Sequence, residues 1–260
     1  MTVVTDDGET IHGYSWPPPA TPAGGVGASA SSPPVWLVVF HGNAGTREDR
    51  LPWLAWLRRT LGVGITIWDY RGYGGSTGQP SQRGLYLDGR AVARWCGRCA
   101  SDDSGGVGSN TPCAPAEGAP PRNARCVLYG ESIGSSVATW AATAHGSCFD
   151  GLVLHAPFTS VTDAGAANYW FLPVRWLSRH KFDTESFCRR LPRGLPKLVL
   201  HGTDDTIVPH ALGARLHAAL DEPKSFVSVQ GAGHNDLPLF RTAYLGALGG
   251  FLKKVAGGSG

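Results

Sequence analysis

With 260 residues, 42% of them apolar, the chain is long enough to bury roughly 70 to 75% of its extended surface around one sizeable core. A formal charge of only +3, with Lys and Arg scattered, excludes a phosphate-tracking surface and so nucleic acid as a partner. No apolar run reaches the ~18 to 20 residues that cross a bilayer, and "MTVVTDDGETIHGYSW" lacks the basic start and apolar stretch of a secretion signal.

The expectation is therefore a soluble, cytoplasmic protein, membrane-associated only if an upstream anchor has been removed. In chain order, the opening stretch alternates about Asp6-Asp7-Gly8 and predicts a β-hairpin. Residues 17–34, "PPPATPAGGVGASASSPP", cannot bury enough apolar surface to order themselves and read as an extended loop.

From Val35 onward, short apolar runs alternate with helical patterns. The runs are "VWLVVFHG", "VGITIWDYRG", "CVLYGES", "GLVLHAP", "KLVLHGTDD" and "FVSVQGAGH"; the helices between them include "LPWLAWLRRTL", "GLYLDGRAVARWC", "IGSSVATWAATAHG", "HALGARLHAAL" and "LPLFRTAYLGALGGFLKKV". Strands apolar on both faces and separated by helices predict a mainly parallel, doubly wound sheet, the α/β class. A second low-complexity loop, residues 97–123, enters the strand at Cys126 from the amino ends of the strands, away from the carboxyl ends where open α/β sheets bind ligands.

The six cysteines, at 96, 99, 113, 126, 148 and 188, admit a zinc-like reading of Cys96-x-x-Cys99 with Cys113 and Cys126. Against it, Cys126 opens one apolar strand and Cys148 precedes another, where a free Cys acts as a small buried hydrophobe. No metal is expected. A Cys99–Cys113 disulfide across the glycine-rich loop is the other reading of that pair, and a reducing compartment would not keep it.

Gly130-Glu131-Ser132-Ile133-Gly134 closes an apolar strand and opens a helix of small residues. A tight strand-to-helix turn leaves no room for flanking side chains, so glycines there let Ser132 project above the sheet, while the N–H of Ile133 and the positive helix end face the place where an oxyanion would form. A serine hydroxyl then needs a base for its proton and an acid to orient that base. "LVLHGTDDTIVP" and "VSVQGAGHND" supply them in order, giving Ser132, an Asp, then His234 as general base. Of the two carboxylates only one can meet the imidazole; Asp205 is chosen, with Asp204 as a turn residue bonding nearby amides. A second oxyanion donor is expected from His41-Gly42-Asn43-Ala44-Gly45, through the N–H of Asn43; the competing reading is a plain glycine turn.

Five ordered pieces, "HGNAG", "DYRGYGGSTGQPSQRGLYLDGRA", "YGESIGSS", "HGTDDTIVP" and "GAGHNDL", spread from residue 41 to 237, resemble the α/β-hydrolase superfamily. Within it the chain looks like the α/β-hydrolase-domain serine hydrolases that include membrane-associated protein depalmitoylases. The resemblance implies one domain over residues 1–260, an eight-stranded sheet with an amino-terminal hairpin, and a short cap over residues 158–188. It makes Ser132 the nucleophile, Asp205 the acid (the family's H-G-x-x-D spacing from His201) and His234 the base, with Asn43 and Ile133 as oxyanion amides. Asp69, Arg71 and Gly72 would shape the turn beside the site. Unlike many of that subgroup, this sequence shows no amino-terminal anchor or palmitoylated cysteine cluster, which leaves peripheral membrane contact unsupported.

The cap carries Tyr169, Trp170, Phe171 and Trp176, which either pack it onto the sheet or line an acyl pocket. The expected activity is hydrolysis of a carboxylic ester or thioester through an acyl-enzyme, without cofactor, on a small-molecule or acyl-protein substrate; the acyl-protein thioester rests on the resemblance alone. A peptidase, amidase or acyltransferase would use the same triad. A non-catalytic binding protein on a hydrolase scaffold is the reading of another class, and such proteins usually lose a triad member.

Overall fold

The computed structural model describes residues 1–20, 32–96, 116–145, 148–168 and 181–257. The strands are β1 (Thr2–Val4), β2 (Thr10–Trp16), β3 (Val35–Phe40), β4 (Gly64–Trp68), β5 (Arg125–Glu131), β6 (Gly151–His155), β7 (Lys197–Gly202) and β8 (Lys224–Val229). The helices are α1 (Arg47–Leu61), α2 (Gln82–Trp95), α3 (Ile133–Ala144), α4 (Val161–Asn168), α5 (Thr184–Cys188), α6 (His210–Ala218) and α7 (Arg241–Gly257).

The strands form one eight-stranded sheet in the order β1-β2-β4-β3-β5-β6-β7-β8. β1 and β2 pair antiparallel as the predicted hairpin, β2 adds antiparallel to β4, and every later pairing is parallel. The continuous apolar runs have their physical reason here. Every residue of β3, β4, β6 and β7 is buried, because helices cover both faces.

Alternate side chains of β3 divide between two cores. Trp36, Val38 and Phe40 pack with α2 and α3, whereas Val35, Leu37 and Val39 pack with α1 and α7. β8 closes the far edge of the sheet from β1 and is only partly buried.

Two boundaries differ from the sequence reading. α1 begins at Arg47, four residues before the apolar pattern, because the Asp49 carboxylate accepts the Thr46 N–H at 2.7 Å and caps the helix; Gly62, at φ +68°, ends it. The last helix does not run unbroken from Leu237. A single 3-10 turn spans Leu237–Leu239, Phe240 leaves the helical region at ψ 57°, and α7 starts at Arg241.

Residues 21–31 and 97–115 of the two low-complexity loops lie outside the described residues, as do Cys99 and Cys113. The end of the second loop accepts a hydrogen bond from Ser15 Oγ at the Gly118 carbonyl (2.6 Å), and Ser15 pairs with Thr66 in β4. Cys96, Cys126 and Cys188 are buried thiols outside any disulfide. Cys148, expected as a free buried thiol, is instead disulfide-bonded. Among the described residues no helix is long and apolar enough to cross a membrane, and no cluster of three or more His, Cys, Asp or Glu could hold a metal ion.

Candidate active site

The six parallel strands, β3 to β8, end on the same carboxyl edge of the sheet, and the residues with chemistry sit at or just beyond those ends. Ser132 follows β5 with φ 54° and ψ −116°, a left-handed conformation that a non-glycine residue rarely holds. Its neighbours explain how the turn is enforced. A Cβ on Gly130 would stand 2.5 Å from the Gly134 carbonyl oxygen and from Ser135 Cα, and one on Gly134 would overlap the Phe40 carbonyl oxygen. The two glycines thus press α3 onto the end of β3 and leave the serine as the projecting side chain.

The turn is tied down by backbone and side chain together. Ser132 N–H donates to the His155 carbonyl at 2.8 Å, and Ser135 Oγ donates to the Gly130 carbonyl at 2.9 Å. Ile133 is the first residue of α3, so its N–H has no acceptor within the helix and stays available at the positive helix end.

Asp205 and His234 come from the loops after β7 and β8. Gly202 lets these loops touch, since a Cβ there would overlap the Ala232 carbonyl. His234 Nδ1 lies 2.7 Å from Asp205 Oδ2. With Nδ1–H donated to the carboxylate, Nε2 carries the lone pair.

The other Asp205 oxygen accepts the N–H groups of Ile207 (2.9 Å) and Val208 (2.7 Å), and His201 Nε2 stands 3.2 Å from Oδ2. Burial alone would raise the Asp205 carboxyl. The hydrogen bonds from His201, His234 and Val208 outweigh it and hold the group well below the usual carboxylate range. Asp204 is exposed and accepts the Thr203 hydroxyl at 2.9 Å rather than backbone amides, which corrects its expected role. Among the described residues no hydrogen bond joins Ser132 Oγ to His234.

The segment His41–Gly45 follows β3 beside the start of α3, and Asn43 is exposed there. Tyr73 Oη donates to Asn43 Oδ1 at 2.8 Å, and Tyr70 Oη donates to the His41 carbonyl at 3.0 Å. Asp69 accepts the Arg47 N–H at 2.6 Å and also the Arg47 guanidinium, which anchors the start of α1. Arg71 bonds Asp88 through Nε at 2.8 Å and Asp7 through both terminal nitrogens, while Gly72 turns at φ +74°. Tyr169, Trp170, Phe171 and Trp176 lie outside the described residues.

The comparisons with known proteins agree with this architecture. A profile of the prolyl oligopeptidase family matches residues 120–245. An uncharacterized protein of Mycobacterium tuberculosis is 35% identical over 257 residues, covering 98% of this chain and 79% of its own. The lysophosphatidylserine lipase ABHD12 of Danio rerio is 28% identical over 212 residues, which cover 75% of this chain and 49% of the lipase, so this chain spans about half the length of that relative. Among solved structures, the Pyrococcus furiosus esterase Pf2001 superposes with a TM-score of 0.68 at 17% identity, over 98% of this chain and 90% of the esterase. The chain belongs to the α/β-hydrolase superfamily.

Three residues of this α/β-hydrolase site escaped the sequence reading. Arg50 and Glu131 pair beneath the Asn43 loop, and His155, at the end of β6, bonds Tyr129 Oη through Nδ1 at 2.6 Å. Glu131 stands inside "YGESIGSS" and His155 ends the apolar run of "GLVLHAP", but nothing in their local spacing marks their partners, and Arg50 lies just before the apolar pattern that predicts the helix.

Proposed function

We propose that the protein is a serine hydrolase that cleaves a carboxylic ester or thioester through an acyl-enzyme. The observation that carries this reading is the Asp205–His234 hydrogen bond of 2.7 Å on the same sheet edge as a serine held at φ 54° between two sterically required glycines.

In this reading Ser132 Oγ attacks the acyl carbonyl while His234 Nε2 takes its proton, and the imidazolium is stabilised by Asp205 at Nδ1. The carbonyl oxygen becomes an oxyanion that accepts the N–H groups of Ile133 and Asn43. Collapse expels the alcohol or thiol, which leaves with the proton from His234. Water then adds to the acyl-enzyme by the same route, and the free acid departs with Ser132 restored.

Similarity to a lysophosphatidylserine lipase favours an ester of a lipid-like acyl group, and the resemblance to depalmitoylases adds an acyl-protein thioester. A second reading, cleavage of amides, has its own support in the prolyl oligopeptidase profile over residues 120–245. The test is a panel of p-nitrophenyl acyl esters, acyl thioesters and aminoacyl amides, run on the protein and on Ser132→Ala. Ester or thioester turnover that Ser132→Ala abolishes is expected. Equal rates for both proteins would overturn the reading, and a preference for amides would replace it with the second.

A further inference from the structure

The loop that carries Asn43 is tied to the serine turn by a single guanidinium. Arg50, in the first turns of α1, donates through Nη1 to the Ala44 carbonyl at 2.5 Å. Its Nη2 and Nε reach Glu131 Oε1 and Oε2 at 3.1 and 3.4 Å, forking onto the carboxylate of the residue immediately before Ser132.

Both side chains are largely covered, at 13% and 14% exposed. The loop closes tightly around them. A Cβ on Gly42 would stand 3.1 Å from Glu131 Oε1, and one on Gly45 would stand 2.8 Å from Arg50 Nη1. A covered ion pair rarely repays its desolvation as stability, so its placement between two catalytic segments calls for another explanation.

We infer that Arg50 and Glu131 are a positioning pair that locks the oxyanion loop to the serine turn, Arg50 also neutralising the carboxylate of the residue next to Ser132. The inference rests on the reading of Ser132 as nucleophile and of the Asn43 N–H as oxyanion donor. Its two members are unequal. Losing Arg50 frees the Ala44 carbonyl and leaves Glu131 unpaired beside a site that becomes negative in the transition state. Losing the Glu131 charge leaves the Arg50–Ala44 bond in place. Removing one oxyanion donor typically costs 10²- to 10³-fold in kcat, which bounds what a displaced loop can lose.

The experiment compares Arg50→Gln, Glu131→Gln and the double variant by kcat and KM on a p-nitrophenyl ester, with hydrogen exchange read at the amides of residues 43–45. The expected order is a fall in kcat of roughly 100-fold for Arg50→Gln and about 10-fold for Glu131→Gln, with KM nearly constant. The double variant should recover part of the Arg50→Gln loss, because it removes the orphaned carboxylate. Exchange at 43–45 should quicken in Arg50→Gln.

Unchanged kcat in folded Arg50→Gln, or a double variant no better than that single one, would overturn the inference. Should Arg50→Gln not fold, the near-isosteric Glu131→Gln decides by the same kcat and exchange readings. A parent protein without turnover or serine labelling would defeat the nucleophile reading instead. In that case the exchange data still decide the clamp, and equal protection with and without Arg50 would refute it.

Discussion

His155 offers a quantitative test of the packing under the serine turn. Its carbonyl accepts the Ser132 N–H at 2.8 Å, its Nδ1 meets Tyr129 Oη at 2.6 Å, and Tyr129 in turn meets Tyr244 Oη at 2.8 Å. Its Nε2 is buried without a partner. Burial is the main cause that pushes the imidazole down from 6.5 to about 4.

The folded state therefore keeps His155 neutral, whereas the unfolded chain takes up a proton below about pH 6.5. Its contribution to stability is full above that pH and is lost as pH falls towards 4. The fall from 6.5 to about 4 corresponds to roughly 3 kcal/mol in total, of which about 2 kcal/mol is lost between pH 7 and pH 5. Urea unfolding of the parent and of His155→Gln at both pH values isolates this amount, because the difference between the two proteins cancels the other titrating groups. The parent should lose about 2 kcal/mol more than the variant, or roughly 0.7 M in urea midpoint for an m-value of about 3 kcal/mol/M. Parallel pH slopes would show that His155 is solvated or charged in the fold and would refute its burial as a neutral imidazole beneath Ser132.

Three substitutions test other parts of the site and fold. Gly134→Ala drives a methyl group into the Phe40 carbonyl and should cost about 3 kcal/mol or more, seen as a lowered thermal midpoint. Gly250→Ala, exposed in α7 with nothing within 4 Å of the added Cβ, should instead stabilise by about 0.5 to 1 kcal/mol; a loss there would contradict the helix. Asp205→Asn keeps the shape but removes the charge opposite His234 and should lower kcat by about 10⁴-fold with the circular dichroism unchanged, whereas a loss below tenfold would free Asp205 from its role.

The parallel sheet was legible because its central strands are buried on both faces and so read as unbroken apolar runs, and the amino-terminal pair because a turn triplet divides two alternating stretches. The places of Ser132, Asp205 and His234 just beyond β5, β7 and β8 were legible because each follows a strand in a fixed order with glycines where the backbone must approach closely; their catalytic roles belong to the proposal. The choice between Asp204 and Asp205 could not be made from polarity, since both follow β7; the backbone turn sends one outward to Thr203 and the other inward to His234. Arg50 and Glu131 are 81 residues apart, and only the folding of α1 against the end of β5 brings them together. The break at Phe240 was hidden because the apolar pattern continues across it, while the backbone there departs from the helix. The bonded state of Cys148 had no local signal either, because its flanking sequence suits a buried thiol equally well.

The central claim is that Ser132 is an activated nucleophile served by His234. Labelling with a fluorophosphonate probe tests it most directly, on the folded parent protein beside Ser132→Ala and His234→Ala. The account predicts rapid labelling of the parent and none of either variant. An unlabelled parent, or labelling that survives Ser132→Ala, would contradict it.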